Sequence, residues 1–165
     1  MILKTICEVN QDELSLFTCG NEELDKFLKK YALKNDKNGY GKTFVLYDRN
    51  KIVGFFTLCS SSIRFDEIPR NNFELFPRYP IPAIKIARLA VAKQHQGMGY
   101  GKILLKECFI KILNAAMNIG VRLIVVDAKE ASKSFYKKFG FQNLINNESS
   151  YFLLVDTLKE SLTLY

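Results

Sequence analysis

Between Arg88 and Lys102 the chain carries the residues best suited to hold a charged group. Arg88-Leu89-Ala90-Val91 reads as a strand end, and Gln96-Gly97-Met98-Gly99-Tyr100-Gly101-Lys102 follows it, just ahead of a long helical pattern. Three glycines in five positions let the backbone turn tightly and approach a ligand closely. The first N–H groups of a helix lack carbonyl partners, and the helix dipole favours negative charge there. Strand, glycine turn and helix start therefore make an anion site suited to a pyrophosphate. Two rival phosphate motifs do not fit. A dinucleotide fold wants G-x-G-x-x-G in its first strand-turn-helix unit and an acidic residue about 20 residues on. Here the spacing is G-x-G-x-G, the loop lies mid-chain, and Gly120 and Val121 stand where the acidic residue would be. The G-x-x-x-x-G-K-[ST] pattern of a Walker loop is absent.

Other chemistries have less to work with. Cys7, Cys19, Cys59 and Cys108 are widely spaced, form no C-x-x-C pair, and have only His95 beside them. No zinc set can be assembled from them, and no metal is expected. All four read as reduced and mostly buried small hydrophobes. A nucleophilic cysteine would need a base beside it, and His95 belongs to the glycine-rich loop. The formal charge of +7 points to an anionic partner: nucleic acid, a membrane surface or a phosphate-bearing cofactor.

The elements that must position the loop are legible in outline. A chain of 165 residues, 48% hydrophobic and 25% charged, fits a single globular domain spanning 1–165. No apolar run reaches the roughly 18–20 residues a membrane helix needs, and the start does not read as a signal peptide, so a cytoplasmic protein is expected. Asn21-Glu22-Glu23 reads as a helix start, and Leu24, Phe27, Leu28, Tyr31 and Ala32 form one apolar stripe behind it. Thr43–Tyr47 and Ile52–Leu58 read as a hairpin around Asp48-Arg49-Asn50-Lys51. The stretch from Ser60 to Pro82, with four prolines, reads as irregular. Ile84–Val91, Arg122–Asp127 and Tyr151–Val155 read as strands. Ile103, Leu104, Cys108, Ile112 and Ala115 mark the buried face of the long helix, and Ala131–Phe139 a shorter helix ending at Gly140. The class is mixed α/β.

The loop resembles that of a known family. Gln96-x-x-Gly99-x-Gly101 is similar to the pyrophosphate-binding [QR]-x-x-G-x-[GA] motif of GNAT acetyltransferases. Gln94-x-x-Gly97-x-Gly99 also fits, but the helix pattern begins directly after the first. Downstream, Phe135-Tyr136-Lys137-Lys138-Phe139-Gly140-Phe141 resembles the F-Y-x-x-F-G-F signature of the same superfamily. Phe17-Thr18-Cys19-Gly20-Asn21, with Leu24-Asp25 and Phe27-Leu28, resembles the opening of GNAT toxins from bacterial toxin–antitoxin modules. Tyr79-Pro80-Ile81-Pro82 with Ile86–Val91, and Ile119-Gly120-Val121 with Val125–Ala128, resemble further toxin segments. The resemblance runs from about Phe17 to Phe141.

It implies a central mixed, mostly antiparallel twisted sheet flanked by helices, and an acetyl-CoA-dependent N-acetyltransferase. By the resemblance, Leu89, Ala90 and Val91 hold the pantetheine arm and acetyl group, and the stretch Gln96, Gly97, Met98, Gly99, Tyr100, Gly101 and Lys102 takes the pyrophosphate. Asp127, Ser132 and Phe135 touch the cofactor, the backbone of Val91 stabilises the oxyanion, and Tyr136 donates a proton to the departing thiolate. Taken alone, Tyr136 reads as a core aromatic; the glycine loop at the family's separation makes it a proton donor. The acceptor implied is the α-amine of aminoacyl-tRNA, whose acetylation blocks translation. Candidate RNA contacts are Lys29, Lys30, Lys34, Arg78, Arg88, Lys133, Lys137 and Lys138. A homodimer and a ribbon-helix-helix antitoxin are implied as partners. No buried Glu or His base stands out in the motifs, which favours an amine of low pKa over lysine. A GNAT enzyme acting on a small amine or a protein N-terminus is the alternative. A noncatalytic acyl-CoA or nucleic-acid-binding module on the same fold would have no need of Tyr136 or the complete loop.

Overall fold

The computed structural model describes residues 1–145 and 147–163, with side chains up to 160. Seven strands form one sheet in the order β1-β2-β3-β4-β5-β7-β6. They are β1 (Ile2–Thr5), β2 (Lys42–Asp48), β3 (Lys51–Ile63), β4 (Ile81–Val91), β5 (Leu123–Asp127), β6 (Gln142–Asn143) and β7 (Ser150–Leu154). The pairings β1–β2, β2–β3, β5–β7 and β6–β7 are antiparallel, and β4–β5 is parallel. The expected mixed, mostly antiparallel sheet is present. The parallel pair requires a crossover, which α4 (Tyr100–Ala116) supplies. The other helices are α1 (Gln11–Ser15), α2 (Glu22–Lys26), α3 (Ala32–Lys37), α5 (Glu130–Lys138) and α6 (Val155–Thr163).

The chain forms two compact units, to both of which β3, β4 and α4 contribute residues. The first comprises Met1–Cys59 and Ala87–Cys108, and the second Ser60–Ile86 and the chain from Phe109 onward. In the first, Ile6, Leu14, Phe17, Phe27, Leu28, Ala32, Val45, Phe55 and Ala90 form one buried cluster. Asn21 caps α2 by accepting the Leu24 N–H at 3.1 Å, as its residue type predicts. The hairpin between β2 and β3 turns through Arg49 (φ 46°) and Asn50 (φ 62°), the two-residue turn that matches strand twist. In the second unit, Ile63, Ile68, Ile81, Leu123, Val125 and Phe152 lead the core. Gly140 ends α5 at φ +86°, the left-handed conformation glycine adopts freely. Val155 N–H donates to the Arg122 carbonyl at 3.1 Å, and Arg122 pairs with Asp156, so the start of α6 is tied to the strand beside it.

Three expectations are corrected. Tyr31 is 45% exposed, because Phe27–Tyr31 forms a π turn between α2 and α3. A π turn fits one extra residue into the helix: the Ala32 N–H bonds the Phe27 carbonyl, Ala32 stays buried on the stripe, and Tyr31 alone is turned outward. Ser60–Ile63 is strand, and short 3₁₀ helices at Phe65–Glu67 and Arg70–Leu75 fill much of the stretch expected to be irregular. Of the cysteines, all free, Cys19 and Cys108 are buried, Cys59 is half-buried and Cys7 is exposed.

Candidate active site

In the first unit the structure brings Leu89, Ala90, Val91 and the whole stretch from Gln96 to Lys102 onto one strand–loop–helix segment. Gly97 (φ +76°) and Gly99 (φ +87°) both lie in the left-handed region. A Cβ on either would meet nothing within 4 Å, so backbone conformation, not crowding, demands glycine there. The carbonyl of Gly99 accepts the N–H groups of Lys102 (3.1 Å) and Ile103 (3.4 Å), which makes Gly99 the cap of α4. The helix starts at Tyr100, one residue before the motif's last glycine. The amides of Tyr100 and Gly101 thus open the helix, with open space over the loop before them. This geometry fits the register Gln96-x-x-Gly99-x-Gly101.

Side chains of the loop have other duties. Gln96 Nε2 donates to the carbonyls of Cys19 (2.8 Å) and Val91 (3.1 Å). Its amide ties the end of β4 to the loop and to the segment before α2. Tyr100 Oη donates to Asp48 Oδ2 at 2.6 Å. That bond pushes the phenol's pKa up and draws the Asp48 carboxyl down. Met98 is 65% exposed, and Lys102 is exposed in the first helical turn. Backbone N–H groups and the Lys102 cation are what this loop offers an anion.

One residue the motifs do not announce is Gly54. A Cβ there would lie 2.6 Å from the Ala90 carbonyl and 2.6 Å from Leu104 Cδ1. The glycine lets β3 lie hard against the strand that carries Ala90 and Val91, and only long-range packing reveals it.

In the second unit, Tyr136 sits on α5 with 5% exposure. Its ring meets Phe135 (5.1 Å) and Phe141 (5.4 Å) edge-on, an arrangement aromatic quadrupoles favour. The F-Y-x-x-F-G-F spacing is therefore a clamp that fixes the phenol in place. Ser132 is half-buried one turn ahead of Tyr136. Asp127, at the end of β5, accepts from Lys85 Nζ (2.5 Å) and Ser150 Oγ (2.6 Å). Burial pushes its pKa up, but the bonds from Lys85 and Ser150 outweigh it and hold the carboxyl low. The two partners make Asp127 a tie between neighbouring strands, a role the motif spacing does not disclose.

The basic residues divide. Lys30 and Lys34 are exposed beside α2 and α3, Lys29 is half-buried, and Arg78 is exposed. Arg88 is not a free cation: its guanidinium lies 3.6 Å from the Phe27 ring centroid, and burial lowers its pKa. Lys133 pairs with Glu130 at 2.7 Å. Lys137 lies over the Tyr151 ring at 5.8 Å, and Lys138 is on the outer side of α5. Among the described residues no cluster of His, Cys, Asp or Glu could hold a metal ion, and no helix is long and apolar enough to cross a membrane.

Comparison with known proteins places this arrangement. The profile of the Acetyltransferase (GNAT) domain matches residues 39–143. The tRNA-acetylating toxin of Mycobacterium tuberculosis is 35% identical over 132 residues, 79% of this chain and 79% of that one. The structure of AtaT complexed with acetyl-methionyl-tRNAfMet superposes with a TM-score of 0.88 at 24% identity, covering 98% of both chains. That of AtaTR bound with acetyl-CoA does so with a TM-score of 0.82 at 25% identity, over 98% of this chain and 97% of that one. A profile match over more than half the length, and 35% identity to a relative across 79% of both chains, lead to one assignment: this chain belongs to the GNAT acetyltransferase family.

Proposed function

We propose that the chain moves the acetyl group of acetyl-CoA to the α-amine of an aminoacyl-tRNA, and blocks translation as the toxin of a toxin–antitoxin pair. The observation that carries this reading is the 35% identity to a tRNA-acetylating toxin across 79% of both chains. The whole of residues 1–165 works as one GNAT domain.

The chemistry needs little beyond placement. An α-amine has an ordinary pKa near 7.7–8.0, against about 10.4 for lysine, so a useful fraction is neutral at working pH. The loop amides at the start of α4 take the diphosphate of acetyl-CoA. Leu89, Ala90 and Val91 take the pantetheine arm along β4. The amine attacks the thioester carbon, and the Val91 N–H stabilises the oxyanion that forms. Collapse of the intermediate breaks the C–S bond, the Tyr136 hydroxyl gives the leaving sulfur its proton, and the proton that the amine sheds on becoming an amide passes through water and restores the phenol. Asp127, Ser132 and Phe135 act in holding the cofactor end of that arrangement.

The +7 charge supports a polyanionic acceptor. Lys30, Lys34, Arg78, Lys137 and Lys138 are the more accessible members of the basic set, and they serve as phosphate contacts together with Lys29 and Lys133. Arg88, stacked on Phe27, acts through the shape of the site rather than by reaching out. The protein works in the cytoplasm as a homodimer, with a ribbon-helix-helix antitoxin as its controlling partner.

The test is transfer of label from acetyl-CoA to total charged tRNA, with uncharged tRNA and free amino acids as controls. Label on the aminoacyl group alone is the expected result. Label on none of the charged tRNAs would overturn the tRNA reading and turn attention to small amines and protein N-termini. The loop assignment has its own check. Gly99→Ala places a side chain at φ +87°, where an L-residue costs roughly 1–2 kcal/mol. Its coenzyme A affinity, read by calorimetric titration, is expected to fall about tenfold.

A further inference from the structure

The glycine loop is held from outside by a segment far from it in sequence. The Thr18 carbonyl accepts the Lys93 N–H at 2.8 Å. The Cys19 carbonyl accepts Gln96 Nε2 at 2.8 Å. Thr18 and Cys19 lie in no helix or strand of their own. One side chain holds both: Asp25 Oδ2 accepts from Thr18 Oγ1 at 2.8 Å, and Asp25 Oδ1 accepts from the Cys19 N–H at 2.8 Å. Asp25 is rooted in α2, whose start Asn21 caps.

We propose that Asp25 is a positioning residue for the glycine loop, acting through the Thr18–Cys19 backbone on Lys93 and Gln96. The proposal rests on the acetyl-CoA reading above. Its logic is a relay of fixed distances. Thr18 and Cys19 can present their carbonyls to the loop only if their own backbone is pinned, and a carboxylate accepting one bond from each residue pins both. Gln96 then holds the Val91 carbonyl with the same Nε2. The strand end that carries the acetyl group and the loop that takes the diphosphate are thereby set at one spacing. Burial pushes the Asp25 pKa up, but the bonds from Cys19 and Thr18 prevail and hold it below its ordinary value. The group is charged throughout the working range, so a neutral replacement changes it at every usable pH. Arg88, stacked on Phe27 in the π turn that follows α2, adds a second tie to β4.

A residue that merely stabilises the fold and a residue that positions the loop differ in what they do to affinity. Coenzyme A is titrated into the wild type, Asp25→Asn, Gln96→Leu and the double variant, with thermal melting beside each. Each single variant is expected to bind coenzyme A about tenfold more weakly: Asp25→Asn loses the carboxylate that holds Thr18 and Cys19, and Gln96→Leu loses the two amide bonds to Cys19 and Val91. The double variant should be no weaker than the worse single, because both act on one linkage. In acetyl transfer the KM for acetyl-CoA rises for Asp25→Asn while kcat at saturation stays near wild type. Thr18→Val, which removes one of the two donors and keeps the other, should fall between wild type and Asp25→Asn, and serves in its place should that variant not fold. A lower melting temperature with unchanged coenzyme A affinity overturns the proposal, and so do single effects that multiply in the double variant. A wild type that takes up no coenzyme A overturns the acetyl-CoA reading itself, and this proposal with it.

Discussion

Tyr136→Phe is expected to bind coenzyme A as the wild type does and to lose roughly 100-fold or more in turnover. The ring stays clamped between Phe135 and Phe141, and phenylalanine fills nearly the same volume, so packing is conserved. What is lost is the O–H proposed to give the departing sulfur its proton. Without a donor, coenzyme A must leave as the thiolate, a poorer leaving group than the thiol. The effect therefore falls on kcat and not on cofactor affinity, the pattern of a group that acts only in the transition state. Steady-state kinetics beside a coenzyme A titration separate the two. Undiminished turnover would remove Tyr136 from the mechanism.

Gly54→Ala is the second change with a large expected effect, and it touches no ligand. The new methyl would lie 2.6 Å from the Ala90 carbonyl and 3.4 Å from the Val91 Cα. A backbone carbonyl cannot swing aside as a side-chain tip can, so β3 and the end of β4 must part. Overpacking of this kind costs about 1–3 kcal/mol. In a chain of this size each kcal/mol lowers Tm by about 2–4 °C. The displaced segment is the one that carries Ala90 and Val91, so the KM for acetyl-CoA should rise in parallel. Calorimetric melting together with KM checks both. A variant with wild-type Tm and wild-type KM would show that β4 has slack where the structure shows none.

These two residues differ in how far they could be read from sequence. Tyr136 stands in a signature whose phenylalanines have fixed spacing, and the structure shows why: the spacing builds the clamp. Gly54 stands in an apolar run of ordinary composition, and its requirement comes from Ala90 and Leu104, 36 and 50 positions along the chain. Local period and turn chemistry disclosed the long helix, the Asn21 cap and the hairpin. They could not disclose β1, whose residues run exposed, half-buried, half-buried, exposed. With no alternation to read, that strand exists because Ile2–Thr5 pairs with Phe44–Tyr47. The π turn is hidden for a related reason: its extra residue leaves Leu24, Phe27, Leu28 and Ala32 on the buried side and displaces only Tyr31. The toxin-like opening was visible as a pattern, yet its Leu24-Asp25 pair gained a physical meaning only once Asp25 was seen to bond Thr18 and Cys19.

The distribution of cysteines bears on how the reaction can be followed at the bench. Each turnover would free one coenzyme A thiol, which a chromogenic disulfide reagent counts as it forms. Such a reagent reacts with thiolates, and a protein's own thiols compete with the product. Burial, with Asp25 beside it, pushes the Cys19 thiol up to about 11, and burial pushes Cys108 well above its ordinary value. Both stay protonated and out of reach. The background colour then comes from exposed Cys7 and half-buried Cys59, a fixed stoichiometric step that a blank without substrate subtracts. Continuous readout of acetyl transfer is therefore open to the native chain, with all four of its cysteines in place.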